Sequence, residues 1–237
     1  MNGYEPYGGF EPYGMSGAAE PLGKYTAKTF GWMFLGLLTT FAVSILLYGT
    51  GYVWFLFQSS AIIYGLAIAE LAVVLILSAR IGKLSVAASR TLFFLYAVLN
   101  GIVFSAYFLL FELPGLILVF AITAVYFGVM AAVGYFTSFD LSRLRNILLG
   151  GLVALLAFWL LSIFFDLSAF ERLACFIGVA IFLAFTAYDT QKIRACHAAY
   201  AHDSQMLAKA SIFSALQLYL DFINLFLYIL RIFGKRK

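Results

Sequence analysis

The sequence contains few charged residues. Only 11% of its 237 residues are Asp, Glu, Lys or Arg, whereas 64% are hydrophobic, and ordinary soluble domains carry about 25% charged residues. This shortage excludes an ordinary soluble globular protein and predicts a chain that crosses a membrane several times. The net charge is +4, but no soluble segment combines a basic patch with interleaved aromatic residues, so we expect no nucleic-acid partner.

Cysteine is also scarce. The two residues Cys175 and Cys196 are too few for a disulfide framework, and we place Cys175 at the start of a hydrophobic segment and Cys196 in the loop beyond it. The sequence has no CxxC pair, no cluster of Cys and His with the spacing of a metal site, and no GxxxxGK[ST] stretch that would bind a nucleotide. We therefore predict two free thiols and no cofactor.

The first 24 residues differ from the rest of the chain. They are rich in Gly and Tyr and contain a short repeat, Tyr4-Glu-Pro-Tyr-Gly8 followed by Phe10-Glu-Pro-Tyr-Gly14. Pro and Gly at this density predict a disordered tail over 1–24, which could also carry a recognition motif. The tail lacks the basic region, apolar core and cleavage site of a signal peptide, so we expect the first hydrophobic segment to direct insertion.

Seven long apolar runs follow the tail, and about 20 apolar residues suffice for a helix to span a bilayer. The runs are too long and too continuous for the strands of a membrane barrel. The sequence therefore predicts an all-α integral membrane fold with seven transmembrane helices, in one membrane domain over 25–237. The runs lie near 29–50, 54–79, 91–111, 115–137, 147–165, 173–190 and 212–231.

Basic residues between the runs predict the orientation of the chain. One set of connections, with the N-terminal segment, carries ten Lys and Arg, and the opposite set carries only Arg172. The positive-inside rule then places the N-terminus in the cytoplasm. The four basic residues within 231–237 do not fit this count if the last segment crosses fully, and they fit if it is re-entrant. The sequence leaves both possibilities open.

The last hydrophobic segment, Ser211–Lys237, contains an acidic residue near its centre. A carboxylate inside a bilayer costs roughly 2.5–3.5 kcal/mol on insertion scales, so Asp221 should face a cavity or a partner. The preceding segment carries the best candidate partner, Asp189. Four polar residues of the last segment would share one stripe of a helix, and two of them are possible gating or pore-lining residues beside the acid. The stripe consists of Gln217, Asp221, Asn224 and Tyr228.

The central hypothesis is that Asp189 and Asp221 meet away from bulk water. They reach similar depth only if the sixth helix extends past Lys192 or the seventh begins well below the interface. Like charges this close cannot both ionise easily, so the pair would share a proton and act as a pH switch, closed until the proton is lost. Two carboxylates facing a cavity also suit a hard cation such as Ca²⁺ as metal ligands. The alternative is two independent acids, each satisfied by nearby hydroxyl or backbone groups.

Three further polar residues are candidates for a gate or a pore lining. Glu70 lies within the second run, and we expect it to face a polar interior. Arg80 is about 15 Å further along a helix and could either reach inward to a carboxylate or snorkel to the interface. Asn100 shares a helical face with Tyr96 and Tyr107, for which we favour hydrogen bonds between helices.

Two motifs resemble those of a known family. The stretch Ala187-Tyr-Asp-Thr-Gln-Lys-Ile-Arg194 is one of them. The other is Ala215-Leu-Gln-Leu-Tyr-Leu-Asp-Phe-Ile-Asn-Leu-Phe226, followed by a terminal Leu-Arg-Ile-Phe-Gly. Together they closely resemble the transmembrane BAX inhibitor-motif family, and the likeness covers about 25–237. The chain looks like a bacterial, inner-membrane member of that family.

The resemblance implies a fold whose last helix is central and is wrapped by the other six. It also implies a pH-sensitive calcium leak gated by an aspartate pair, whose two positions match Asp189 and Asp221. Glu70 matches a membrane-embedded glutamate of the family, whereas Arg80 is one residue out of register with the arginine of the family pattern. Members are linked to restraint of cell death in eukaryotes and to modulation of a membrane protease in bacteria.

Other function classes remain open beside the channel. An intramembrane aspartyl protease also needs two membrane Asp residues, but its Gly-x-Gly-Asp motif is missing because Asp221 follows Gln-Leu-Tyr-Leu, so we expect no enzyme. The alternative to the channel is an interaction protein that modulates a membrane protease or another partner, with 1–24 as its binding segment. A coupled transporter is a further possibility, although no inverted repeat is evident. The expected partners are the lipid bilayer, calcium and protons.

Overall fold

The computed structural model of the protein describes residues 20–80 and 82–234, apart from the side chain of residue 60. Within these residues seven long helices are joined by short connections, and no β-strand is formed. The predicted all-α fold with seven helices able to span a membrane is therefore confirmed. In chain order the helices are α1 Leu22–Gly49, α2 Ser60–Arg80, α3 Val86–Ser105, α4 Leu113–Phe136, α5 Arg145–Leu161, α6 Ser168–Tyr200 and α7 Ser204–Phe233.

Two helices are longer than their apolar runs. Helix α6 continues to Tyr200, past its predicted end at 190, and α7 begins at Ser204 rather than near 212. The start of α7 is set by a cap, because the side chain of Asp203 accepts a hydrogen bond of 2.9 Å from a backbone N–H of the first turn. The extension of α6 past Lys192 is the condition under which the two acids reach similar depth.

Two smaller placements also change. Helix α1 begins at Leu22, inside the stretch assigned to the tail, whereas the rest of that stretch, up to 19, lies outside the described residues. Cys196 was expected in a loop but lies within α6, because that helix is longer than its apolar run. Both Cys175 and Cys196 are free thiols.

Helix α7 is the central helix. In the most apolar 18-residue stretch of α7, 72% of the residues are buried. The same fraction is 11% in α2 and 11% in α5. It packs on α1, α3, α4 and α6, while α2 packs mainly on α3 and α5 mainly on α6. The wrap around α7 is thus made chiefly by four helices rather than six. A helix that carries an acid and several hydroxyl groups is most stable in the interior, because lipid offers those groups no partner.

Hydroxyl groups fix α7 against α1. The Oη of Tyr219 lies 2.6 Å from the Oγ1 of Thr40, and the Oγ of Ser211 lies 2.9 Å from the Oγ1 of Thr29. All four residues are fully buried, and such a bond between membrane helices contributes about 0.6 kcal/mol. Two bonds along one helix face set the rotation of α7 about its axis, and hence the direction in which Asp221 points.

Candidate functional site

A cavity of about 550 Å³ lies beside α7 and is lined by residues of α2, α3, α5, α6 and α7. Its walls are mostly Leu, Val, Phe and Ala side chains. The structure thus brings five of the polar residues singled out in the sequence to one cavity, together with a tyrosine. The polar lining residues are Glu70, Tyr96, Asp189, Gln217, Asp221 and Asn224.

Asp189 on α6 and Asp221 on α7 face each other at this cavity. Their carboxyl groups lie within hydrogen-bonding reach of each other, and the two residues are only 5% and 4% exposed. Among the described residues, the Oδ1 of Asp189 and the Oδ2 of Asp221 have no hydrogen-bond partner. Two carboxyl groups that face each other in this way can hold one proton or a cation between their oxygens.

The turn of α6 that carries Asp189 lies directly against α4. A Cβ atom built on Gly134 of α4 would overlap the backbone carbonyl of Ala187, which lies two residues before Asp189. Only glycine fits at this point, and small residues are what allow membrane helices to approach so closely. The contact between α4 and α6 therefore sets the position of the Asp189 side chain.

Lys192 lies beside the acid pair, one turn after Asp189 on α6. Its Nζ donates a hydrogen bond of 3.1 Å to the Oε1 of Gln217 and lies 5.6 Å from the ring centroid of Phe213. It also interacts electrostatically with both carboxyl groups. In the sequence Lys192 is only one of the charges that orient the chain. The i, i+3 spacing from Asp189 is the signal that could have identified it, because that spacing puts both side chains on one helix face.

Most of the predicted polar stripe of α7 faces the cavity. Gln217 and Asn224 lie about one turn to either side of Asp221, and both line the cavity. The amide of Asn224 donates a hydrogen bond of 2.8 Å to a carbonyl of its own helix. Tyr228, the last residue of the stripe, does not line this cavity and instead accepts a hydrogen bond of 3.1 Å from the Nε1 of Trp159.

Glu70 lines the cavity from the α2 side, as expected for a residue that faces a polar interior. Its Oε1 is buried and has no hydrogen-bond partner in the described part of the chain. Glu70 does not join the two aspartates in a compact metal cluster, because residues 20–80 and 82–234 contain no group of three Asp, Glu, His or Cys side chains close enough to hold an ion.

Two of the candidate residues are placed away from the cavity. Arg80 is the last residue of α2; it is exposed and does not line the cavity. Its position corresponds to a snorkelling side chain at a helix end and not to an interaction with the two aspartates. Asn100 is buried but also does not line the cavity. Its Nδ2 has no hydrogen-bond partner among the described residues, so the hydrogen bond between helices that is favoured for Asn100 is not formed by that atom.

The family of the chain follows from a match that spans all seven helices. A family model described as inhibitor of apoptosis-promoting Bax1 matches residues 22–237. The chain belongs to the Bax inhibitor-1 family. The match begins at the first residue of α1, so every helix of this Bax inhibitor-1 protein and the whole cavity lie inside it. The family resemblance carried by the two acidic motifs is therefore confirmed.

Bacterial proteins are similar to this Bax inhibitor-1 protein over nearly their full length. The inner membrane protein YbhL of Escherichia coli strain K12 is 40% identical over 215 residues, which cover 90% of this chain and 92% of YbhL. An uncharacterised protein of Deinococcus radiodurans is 35% identical over 212 residues, which cover 90% of each chain. An uncharacterised protein of Borreliella burgdorferi is 33% identical over 218 residues, which cover 90% of this chain and 93% of that protein.

Proposed function

We propose that this Bax inhibitor-1 protein is a pH-sensitive calcium leak of a bacterial inner membrane, and that Asp189 and Asp221 form its gate. The observation that carries the proposal is a pair of buried carboxyl groups that face each other at a cavity. Each has an oxygen without any other partner in the described residues. An intramembrane acid is costly, so one that persists without a structural partner is a functional candidate by default.

The pair works as a switch between a proton and a cation. While it holds one proton, the two carboxyl groups share a hydrogen bond and keep α6 and α7 together in the closed state. Loss of the proton leaves two negative charges, which repel each other or bind a cation. Calcium suits this place because it is a hard cation that prefers several oxygen ligands. The side chain of Asn224 offers a neutral oxygen on the same helix face, and that of Gln217 offers a second one when Lys192 releases it.

The leak needs no energy source. A divalent cation that enters a cell with a negative interior gains about 4.6 kcal/mol at 100 mV, twice the value for one charge. The ion reaches the pair through the cavity between α2 and α5, which pack on different neighbours and not extensively on each other. Glu70 adds a further acidic group to the lining, which favours cations over anions when it is ionised.

The orientation of the protein follows from its loop charges. The positive-inside rule supports a cytoplasmic N-terminus. Helix α7 is an unbroken helix of 30 residues, about 45 Å long, which supports a full crossing rather than a re-entrant segment. The C-terminal end of α7 then lies on the opposite face of the membrane. The inner-membrane location of YbhL supports the same membrane for this chain.

The leak is tested with purified protein in vesicles loaded with a calcium-sensitive dye, assayed over a pH series. We expect Asp189→Asn and Asp221→Asn to change the calcium flux and to flatten its pH dependence, because neither variant can exchange a shared proton for a cation. Asp166→Asn is the matched control, since it removes an acid from an exposed loop. Wild-type flux and pH dependence in both site variants would rule out the gate.

The alternative, an interaction protein that modulates a membrane protease or another partner, stays a prediction. Its proposed binding segment lies mostly in 1–19, outside the described residues. Deleting 1–19 separates the two functions: loss of co-purification with a partner at unchanged calcium flux would favour the interaction protein, and unchanged co-purification would contradict it.

A further inference from the structure

A second pair of cavities lies where α6 begins and α7 ends, at the bundle end opposite to the α6–α7 connection. The first cavity, of about 300 Å³, is lined among others by Ser168, Glu171, Arg172 and Arg231. The second, of about 230 Å³, shares Ser168 and Glu171 and continues along aromatic side chains. Neither cavity belongs to the acid site. The first cavity contributes the arginines and the second contributes aromatic side chains. The aromatic lining residues are Phe158, Trp159 and Phe165.

The guanidinium group of Arg231 is held in place by an aromatic ring, with no anionic partner among residues 20–80 and 82–234. It lies over the indole ring of Trp159, 3.9 Å from the ring centroid, and the Nε1 of Trp159 donates to the Oη of Tyr228. Stacking uses the flat face of the guanidinium and leaves its N–H donors free, because those donors point outward in its plane. In the part of the chain that the structure describes, no carboxylate forms an ion pair with Arg231 or Arg172. This includes Glu171, which lines the same cavity.

The position of these cavities corresponds to the lipid headgroup level. They lie at the end of the helix bundle, where tryptophan and arginine are typical of the membrane interface. In the same region Phe164, Phe165 and Phe170 are 78%, 62% and 57% exposed, as expected of side chains that contact lipid. An occupant with an anionic group at the arginines and an apolar part along the aromatic rings would fill both cavities at once.

We propose that these two cavities bind one anionic phospholipid of the phosphatidylglycerol class. The phosphodiester accepts hydrogen bonds from Arg231 and Arg172, whose planar donor groups match phosphate oxygens. Glu171 accepts hydrogen bonds from the glycerol hydroxyl groups, and the acyl esters lie along Phe158 and Phe165. In the first cavity two arginines stand against one glutamate, and this local positive charge favours an anionic headgroup there, whereas Asp166 adds a second acid only to the lining of the second cavity. The site is independent of the proposed calcium leak.

Trp159 is the reporter for the test. The full chain carrying Trp32→Phe and Trp54→Phe retains Trp159 as its single tryptophan, and it is reconstituted with a small fraction of brominated phosphatidylglycerol, phosphatidylethanolamine or phosphatidylcholine. We expect brominated phosphatidylglycerol to quench Trp159 at roughly tenfold lower mole fraction than brominated phosphatidylcholine, because two basic side chains near the surface attract the anionic lipid.

Arginine variants locate the binding. Arg172→Gln leaves the stack of Arg231 on Trp159 in place and should reduce the preference for phosphatidylglycerol severalfold, and Arg172→Gln with Arg231→Gln should abolish it. Arg90→Gln is the matched control, because Arg90 also lies over an aromatic position, 5.1 Å from the ring centroid of Trp32 in the wild type, but at the opposite end of the bundle; in the single-tryptophan chain that position is Phe. The Arg90→Gln variant removes the same charge and should leave the preference intact.

Three outcomes would overturn the proposal. Equal quenching by the brominated lipids, or a preference that survives the double arginine variant, means that no phosphatidylglycerol site exists here. A preference that Arg90→Gln also removes means a general attraction of the charged protein for anionic lipid. Loss of the preference on adding inorganic phosphate at constant ionic strength assigns the cavity to free phosphate rather than to a lipid.

Discussion

The ammonium group of Lys192 on α6 donates a hydrogen bond of 3.1 Å to the side chain of Gln217 on α7, and this contact holds a positive charge beside Asp189 and Asp221. A cation tethered there stabilises the negative charge that appears when the pair loses its proton. It also competes electrostatically with an incoming metal ion. If the proposed gate exists, we expect Lys192 to influence both the pH at which it opens and the flux through it.

Lys192→Gln removes this charge and keeps a side chain that can form hydrogen bonds. We expect the midpoint of the flux–pH curve to move to higher pH by roughly one unit, because without the cation the pair keeps its proton longer. On the alkaline plateau the calcium flux should rise, because the site is then more negative. Dye-loaded vesicles over a pH series measure both quantities.

The control for Lys192→Gln is Lys83→Gln, which removes an exposed lysine just beyond α2. It should change neither the midpoint nor the plateau. If Lys192→Gln also leaves both at wild-type values, Lys192 does not act on the pair.

Gly134→Ala probes the close contact between α4 and α6. The added methyl group would overlap the backbone carbonyl of Ala187, so the helices must separate, at a cost of about 1–3 kcal/mol. We expect a lower thermal unfolding temperature in detergent, together with a changed pH dependence of flux, because Asp189 moves with its helix turn.

Gly128→Ala on the same helix is the matched control for Gly134→Ala. A Cβ atom at 128 meets nothing within 4 Å, and alanine is a better helix former than glycine by about 1 kcal/mol. We expect this variant to be as stable as the wild type or more so. Equal stability of the two variants would contradict the backbone contact at Gly134.

Asp203→Ala removes the cap of the central helix. We expect the free energy of unfolding to fall by about 1 kcal/mol, the usual cost of losing a side-chain cap, in unfolding followed by circular dichroism. Asp203→Asn should restore most of it, because asparagine caps equally well. An Asp203→Ala protein with wild-type stability would show that the bond to the first turn of α7 contributes nothing.

The fold and part of the candidate site could be predicted from the sequence because the bilayer penalises polar groups so strongly. Each apolar run had to be a helix, since only helices satisfy their own backbone within lipid. For the same reason Asp221 and Asp189 had to turn inward and Glu70 had to face a cavity. The cost of exposing a carboxylate to lipid thus predicts that all three acids face the interior, and the structure adds that they line the same cavity.

The rest depends on which helix faces meet, and the hydropathy pattern of the chain does not encode this. Lys192 and Arg80 both follow apolar stretches as basic residues, yet one turns toward the acids and the other faces solvent, because only Lys192 shares a helix face with Asp189. The role of Gly134 exists only where α4 approaches Ala187. Helix α6 extends past its apolar run because the backbone hydrogen bonds of a helix can continue where hydrophobicity ends.

The shared proton of Asp189 and Asp221 is the central claim, and infrared difference spectroscopy of the reconstituted protein tests it most directly. A Glu70→Gln background removes the other buried acid of the cavity from the spectrum. We predict a C=O stretching band of a protonated carboxyl group that disappears on alkaline titration or on addition of calcium, and that Asp189→Asn with Asp221→Asn removes. Absence of this band at every pH, or a band that calcium leaves unchanged, would contradict the account.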